Sequence, residues 1–360
     1  MKVAIDSRYA EEKLTGIGQY IKKIALALDS KGYEVFLCYS KEPQSEIKGK
    51  NIHKIILKSK NRYFFEQILL PIFLISKKID IYHAAGNIGI PLFCPTPSIL
   101  TVHDVIPLVY ENYFCFSKFP LFSKISYYLR TLISVYKAKK ILTDSQFTKN
   151  NLKEKFGLNF DKILVVPLGV DTIKKKTKRI IKGKYIINNG GIDIRKNLFR
   201  LIEAFSKIFQ AHHNLRLVIT GENPNLTPKL KEYAKSLKIS DLVLFTGYVS
   251  ENSLWSLIKN AECLCLPTEI EGFGLPVLLS MAAGTPVITS NCSSIPEISG
   301  DAAILINPLD VNDIVKGVER VLSNNKLRET LIKKGLLRAR KFPWKNTISK
   351  TMKAYEEVIR

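Results

Sequence analysis

Apolar residues fall along this chain in short unbroken runs, each separated from the next by a stretch long enough to hold a helix. The opening unit predicts a strand over Val3–Ile5, a loop through Thr15, Gly16, Ile17 and Gly18, and a helix over Tyr20–Leu28, where apolar residues recur at helical spacing. Further strands are predicted at Tyr33–Cys38, Ile55–Leu57, Ile79–His83, Ser98–Val102, Lys140–Thr143 and Ile163–Pro167. Alternation of this kind implies a mainly parallel sheet with helices on both faces. The pattern breaks at Lys174–Lys184, where seven of eleven residues are basic, and this predicts the connection between two domains. A second series follows, with strands at Tyr185–Ile187, Leu215–Thr220, Leu242–Phe245, Cys263–Leu266, Pro286–Thr289 and Ala303–Ile306, and a helix at Leu198–Phe209. The expected fold is α/β, with two Rossmann-like doubly wound domains facing across a cleft. Residues 1–172 form the first, 173–342 the second, and 343–360 a closing helix (Trp344–Val358) that returns to the first.

A length of 360 residues exceeds what one core usually organises, which agrees with two domains. With 46% hydrophobic and 24% charged residues, disordered and fibrous classes are excluded. The formal charge of +23 is spread over both halves and is open to three readings: a solvated lysine-rich surface, an anionic membrane face, or nucleic acid. Nucleic acid is the remote alternative, and no such partner is expected, because Lys174–Lys184 lacks interleaved aromatics.

Six scattered cysteines without zinc spacings, and no signal peptide ahead of the first strand, predict a cytoplasmic protein. Leu69–Ile75 is apolar but far short of the ~20 residues that span a bilayer, so the chain is expected to lie peripherally on the inner face of a membrane if it meets one. The aromatic and basic stretch Tyr110–Lys140 reads either as ordinary helix packing or as a membrane-facing or lipid-acceptor surface. His212 and His213 read as a solvated helix end, and Cys263 and Cys265, alternating on a strand, as core.

The most specific segment joins Glu271, Gly272, Phe273 and Gly274 to Leu275 and Pro276. A buried strand at Cys263–Leu266 delivers the chain to a glycine-permissive turn, and Pro276 suits the first turn of the helix that follows. One carboxylate thus lies beside free backbone amides at a helix N-terminus, an arrangement suited to a diphosphate and to sugar hydroxyls.

This stretch resembles the signature of retaining glycosyltransferases of the GT-B fold, family 4. Arg195, Lys196 and Asn197 after Gly190 and Gly191 resemble the Arg-Lys-Asn element of that family. Gly169, Val170 and Asp171 resemble its interdomain crossing, and His103 with Asp104 the His-Asp loop of the mannosyltransferase-like branch. The resemblance implies a retaining hexosyltransferase, mannose favoured, with GDP-mannose the first expected donor and UDP-hexoses and dTDP-rhamnose open. The acceptor would be a glycan or a lipid-linked saccharide in cell-surface polysaccharide or lipopolysaccharide biosynthesis.

It further implies that Arg195 and Lys196 hold the donor diphosphate, that Glu271 takes sugar hydroxyls, and that Gly272, Phe273, Gly274 and Leu275 offer backbone contacts. Gly16 and Gly18 would let the first-domain loop approach closely, and His103 would sit near the sugar. No cofactor and no metal are expected; there is no Asp-x-Asp pair to hold one. The family's second glutamate is Leu279 here. That position normally meets the ribose, so a catalytically impaired nucleotide- or glycan-binding homologue is the alternative reading.

Overall fold

In the computed structural model, residues 1–12, 16–171 and 178–359 are described. Thr15 of the expected first loop, and residues 174–177 of the expected basic connection, lie outside them. The chain divides into two units, one made of Met1–Gly169 with Trp344–Arg360 and the other of Val170–Pro343.

The first unit carries seven strands: β1 (Lys2–Asp6), β2 (Glu34–Tyr39), β3 (Ile52–Ile56), β4 (Ile81–Ala84), β5 (Ser98–Val102), β6 (Lys140–Thr143) and β7 (Ile163–Val165). All pair in parallel, in the order β3-β2-β1-β4-β5-β6-β7. β4 and β5 are buried at every position because both faces are covered, whereas the edge strand β3 is half exposed and mixes Ile with His53 and Lys54. Helix Gly16–Ser30 buries Tyr20, Ile21, Ile24, Ala25 and Leu28, one stripe at helical spacing. Gly16 and Gly18 lie inside this helix, Gly18 buried, and not in the loop that the sequence predicts. The closing helix, Trp344–Ile359, belongs to this unit: Thr347 donates to the Pro167 carbonyl (2.7 Å), and Tyr355 is buried against His83 (2.6 Å).

Helix Pro120–Lys137 is built the other way round. It buries Arg130, Thr131, Ser134 and Val135, while Leu121 (72% exposed), Phe122 (70%), Ile125, Leu129 and Tyr136 face outward. Polar contacts dock it. Arg130 pairs with the buried Glu66, and Ser134 Oγ accepts the amides of Gly89 (3.1 Å) and Ile90 (3.3 Å) in the loop after β4.

The second unit repeats the plan with β8 (Lys184–Asn188), β9 (Leu215–Ile219), β10 (Val243–Phe245), β11 (Cys263–Leu266), β12 (Val287–Ser290) and β13 (Ile304–Ile306), all parallel and ordered β10-β9-β8-β11-β12-β13. Lys184, assigned by sequence to the connection, already belongs to β8. Helix Leu198–Phe209 buries Leu201, Ile202, Phe205 and Ile208 against the sheet, with both ends where the apolar spacing puts them. Cys263 and Cys265 are fully buried, and burial pushes the Cys263 thiol up to about 12. His212 and His213 follow the helix end, His213 edge-on to Phe209. In each sheet strand order reverses beside the first strand, between β1 and β4 and between β8 and β11; at such switch points loops diverge and leave a crevice at the strand ends.

Candidate functional site

In the second unit the residues singled out by sequence converge on the switch point between β8 and β11. After β8, Gly190 donates its amide to Asn188 Oδ1 (3.2 Å), and Asn188 Nδ2 donates to the Cys265 carbonyl (2.9 Å), which ties the two strand ends together. A Cβ on Gly190 would lie 2.6 Å from Leu266 Cδ1 and 3.4 Å from Lys196 Cδ, so a larger residue here would have to displace the buried Leu266 side chain. Gly191 turns the chain, and Asp193 then caps the single turn Ile194–Lys196 by accepting the Arg195 amide (3.1 Å).

From the β11 side the loop delivers Glu271. Its carboxylate accepts from Arg195 Nη1 (3.0 Å) on one oxygen and from Lys196 Nζ on the other. The backbones are laced as well. Glu269 N–H donates to the Arg195 carbonyl (2.8 Å), Arg195 Nη1 to the Ile270 carbonyl (3.0 Å), and Glu271 N–H to Ser293 Oγ (3.1 Å). Lys196 is 3% exposed and Glu271 6%. Burial pushes the Glu271 carboxyl up, but the two cations beside it outweigh that and hold it below the usual range. Burial, with Arg195 alongside, lowers the Lys196 ammonium. The triad itself sums to one positive charge, with Asp193 Oδ1 3.7 Å from Arg195 Nε at its outer side, and sets two cations in a largely dry setting that suits a diphosphate oxygen.

Gly274 stands at φ +105°, a conformation that a side chain rarely adopts, and caps helix Leu275–Ala282 with Pro276 in its first turn. Phe273 turns its ring inward, edge-on to Phe342 at 6.1 Å, so only its backbone is available to a ligand. Gly272 lies buried between it and Glu271. Leu275, Pro276 and, one helical turn after Leu275, Leu279 are the half-buried residues of that helix, while Val277, Leu278 and Met281 are buried. Position 279 thus lies on a partly open apolar face.

The sequence reasoning missed Asn189. It follows β8 directly, and both its side-chain nitrogen and its oxygen are shut from solvent with no hydrogen-bond partner among the described residues. An orphaned amide of this kind costs about 1–3 kcal/mol. Two amides in tandem ahead of Gly190 were the available signal.

His103 belongs to the first unit, directly after β5. Its Nδ1 meets Asp144 Oδ2 (2.7 Å) and its Nε2 the Ala85 carbonyl (3.0 Å), while its ring stands edge-on to Tyr20. Both partners can accept, and the Asp144 carboxylate favours the doubly protonated ring, although burial pushes the Asp144 carboxyl up in turn. Burial lowers its proton affinity, but Asp144 outweighs that and the net shift is upward. Without a ligand both ring nitrogens face protein partners, Asp144 and the Ala85 carbonyl, which anchor the ring in the loop after β5. The neighbouring His83, between Tyr355 Oη and Thr101 Oγ1, is the opposite case: burial pushes it down to about 3 and keeps it neutral. Gly16 and Gly18 offer the first-turn amides of a helix where a loop was expected. Among the described residues no three His, Cys, Asp or Glu side chains gather to hold a metal ion.

Residues 14–174 match the model described as Glycosyltransferase Family 4, and residues 169–338 the model described as Glycosyl transferases group 1, so the two run on without a gap. The chain belongs to the group 1, family 4 glycosyltransferases. O-antigen chain mannosyltransferase B of Escherichia coli is 28% identical over 236 residues, 62% of this chain and 62% of that protein. MMP alpha-(1->4)-mannosyltransferase of Mycolicibacterium hassiacum is 30% identical over 227 residues, 61% of this chain and 54% of that protein. The glycosyltransferase thus matches between about half and three fifths of the length of these two relatives. Among solved structures, Anabaena HepE in complex with UDP and glucose aligns with a TM-score of 0.80 at 12% identity, over 99% of this chain and 100% of that one. WaaG, a glycosyltransferase involved in lipopolysaccharide biosynthesis, aligns with 0.77 at 16% identity, over 99% of each chain. These likenesses establish the GT-B fold of this glycosyltransferase.

Proposed function

We propose that this glycosyltransferase moves a hexose, mannose by preference, from a nucleotide diphosphate sugar to a glycan or lipid-linked acceptor with retention of configuration, in the assembly of a cell-surface polysaccharide or lipopolysaccharide. The observation that carries this reading is the Arg195–Glu271–Lys196 triad at the β8/β11 switch point. The donor diphosphate would take the two cations, which neutralise it as the bond from the sugar C1 to phosphate oxygen breaks. Glu271, released in part from those cations, would accept hydrogen bonds from the sugar hydroxyls. As the acceptor oxygen bonds to C1, its proton passes to the departing phosphate oxygen, so no side-chain base and no metal enter the step. Mannose rests on the names of the two relatives, and GDP-mannose stands first among donors on the resemblance of His103 and Asp104 to the mannosyltransferase-like loop.

The outward apolar face of helix Pro120–Lys137 supports a peripheral position on an anionic membrane, and no described helix is long and apolar enough to cross one. A second reading, a homologue that binds nucleotide or glycan without turnover, is favoured by Leu279 on the partly open face of helix Leu275–Ala282.

The test is a thermal-shift screen over GDP-, UDP-, dTDP- and ADP-sugars, followed by donor turnover with extracted lipid-linked acceptors. A true donor at about 100 times its dissociation constant stabilises by ~2.7 kcal/mol. Turnover of one sugar by wild type but not by Glu271→Ala supports transfer. Binding without turnover supports the second reading, and a flat screen overturns both.

A further inference from the structure

The first unit holds a cavity of about 360 Å³ after β1 and β2, lined among others by Arg8, Ser40, Lys60, Arg62, Phe65 and Arg130. That is within the size range of small-ligand sites. Four of its residues are cations. Two are held rigidly: Arg8 donates to Asp6 (2.6 Å) and Glu66 (2.8 Å) and lies over the Phe65 ring, and Arg130 donates to Glu66 through Nε (3.3 Å) and Nη2. Asp6 and Glu66, both almost fully buried, balance these two guanidiniums. Each guanidinium keeps its Nη1 without a protein acceptor among the described residues.

Lys60 and Arg62 are the other two cations, exposed at the rim and with no carboxylate partner among the described residues. The carboxylate on the cavity wall, Glu11, is engaged by the Ser40 hydroxyl (2.8 Å) and amide. The cavity therefore presents a fixed pair of planar donors and an uncompensated positive charge, the combination that recognises a phosphate ester.

Its surroundings say what the phosphate is attached to. Arg62 opens a helical segment in which Tyr63, Phe64, Ile68 and Ile72 are exposed. The Tyr63 hydroxyl bonds to Ser126 Oγ (2.5 Å), which sets this segment beside helix Pro120–Lys137 and its outward Phe122, Ile125 and Leu129. No acidic residue occurs between positions 112 and 143, and over 58–78 the single acid is the buried Glu66. A cationic cavity thus adjoins a broad apolar face with no exposed acid among these segments, whereas a free sugar phosphate would leave that face uncovered.

We propose that this cavity binds the phosphate of an acceptor carried on a lipid, with the lipid chain lying against the neighbouring apolar face. This rests on the transfer reading only in calling the ligand an acceptor; the binding itself needs no donor.

The experiment measures binding of dodecyl phosphate, dodecyl maltoside and inorganic pyrophosphate to the full chain by calorimetry, with no nucleotide sugar present. Lys60→Gln/Arg62→Gln is compared with the charge-matched Lys48→Gln/Lys50→Gln, all four positions being exposed. Dodecyl phosphate is expected to bind wild type at least about tenfold more tightly than the neutral-headed maltoside, and to lose about 10- to 100-fold in the first double variant. The second should change it by less than about threefold. Equal losses in the two variants, or no preference over maltoside, would overturn the proposal; pyrophosphate binding as tightly as dodecyl phosphate would overturn its lipid part. Phosphate binding that survives in a chain with no transferase activity would refute the transfer reading and leave this one standing.

Discussion

Lys196 and Glu271 stand 75 residues apart in sequence and meet as a buried ion pair that joins the loops after β8 and β11. A pair so placed is structural and chemical at once. Removing one partner leaves the other charged and dry, which costs about 3–5 kcal/mol.

Glu271→Ala is accordingly expected to lower the unfolding free energy of the glycosyltransferase by about 3 kcal/mol. It should also abolish sugar transfer while nucleotide diphosphate binds as well as before, or more tightly, because Arg195 and Lys196 lose their internal counter-ion. Urea unfolding and calorimetry with the nucleoside diphosphates check both halves; loss of nucleotide binding together with turnover would contradict this account.

Asn189 offers a prediction with two opposite signs. Asn189→Leu removes two buried, unpartnered polar atoms and should stabilise the unliganded chain by about 1 kcal/mol. The same change should weaken donor binding about tenfold or more, if the amide waits for a ligand. Thermal melting with and without nucleotide decides it, and a variant that binds nucleotide like wild type makes the residue a purely structural flaw.

Leu279→Glu would restore a carboxylate to the partly open face of helix Leu275–Ala282. A charged hydrogen bond to ribose is worth ~1.5–3 kcal/mol, so nucleotide affinity should rise roughly 10- to 150-fold. An unchanged dissociation constant in calorimetry would mean that position 279 does not face the ribose.

The His103–Asp144 pair predicts a pH dependence. Because the folded imidazolium holds its proton above the ordinary value of about 6.5, its contribution is fully present below that value and fades as pH rises through the raised one. His83, pushed down to about 3, acts oppositely and only below about 6.5, so the two windows separate. Urea midpoints should therefore fall as pH rises above about 6.5 in wild type and stay flat there in His103→Gln. Parallel slopes would show that the pair does not hold a proton.

Membrane association is checked on the inverted helix. Phe122→Asp with Ile125→Asp should cut sedimentation with phosphatidylglycerol vesicles at low salt by at least about tenfold, since two large apolar contacts are each replaced by a like charge facing the anionic lipid. Circular dichroism should be unchanged because both side chains are exposed. Wild-type protein that stays in the supernatant would remove the membrane from this picture.

Much of the architecture was legible because parallel strands buried on both faces leave unbroken apolar runs: β5, β6 and β11 begin and end where those runs do. The start of the first helix was not, since Gly16 and Gly18 carry a strong prior for loops and yielded to the apolar stripe that follows them. The convergence of Arg195, Lys196 and Glu271 followed from their places after β8 and β11, which strand order makes neighbours. Side-chain pairing was out of reach. Nothing in the sequence tells that Asp144, 41 residues on, accepts the hydrogen bond of His103 Nδ1, or that Arg130 turns inward while Phe122 turns out.

The last helix carries Tyr355 into the interior of the first unit, where it closes on His83. A ribosome must therefore finish the whole of the second unit before the first can be completed, and the nascent amino-terminal half waits with the seat of that tyrosine open. Premature termination between Pro343 and Tyr355 would leave the first unit unfinished although every one of its strands had been made.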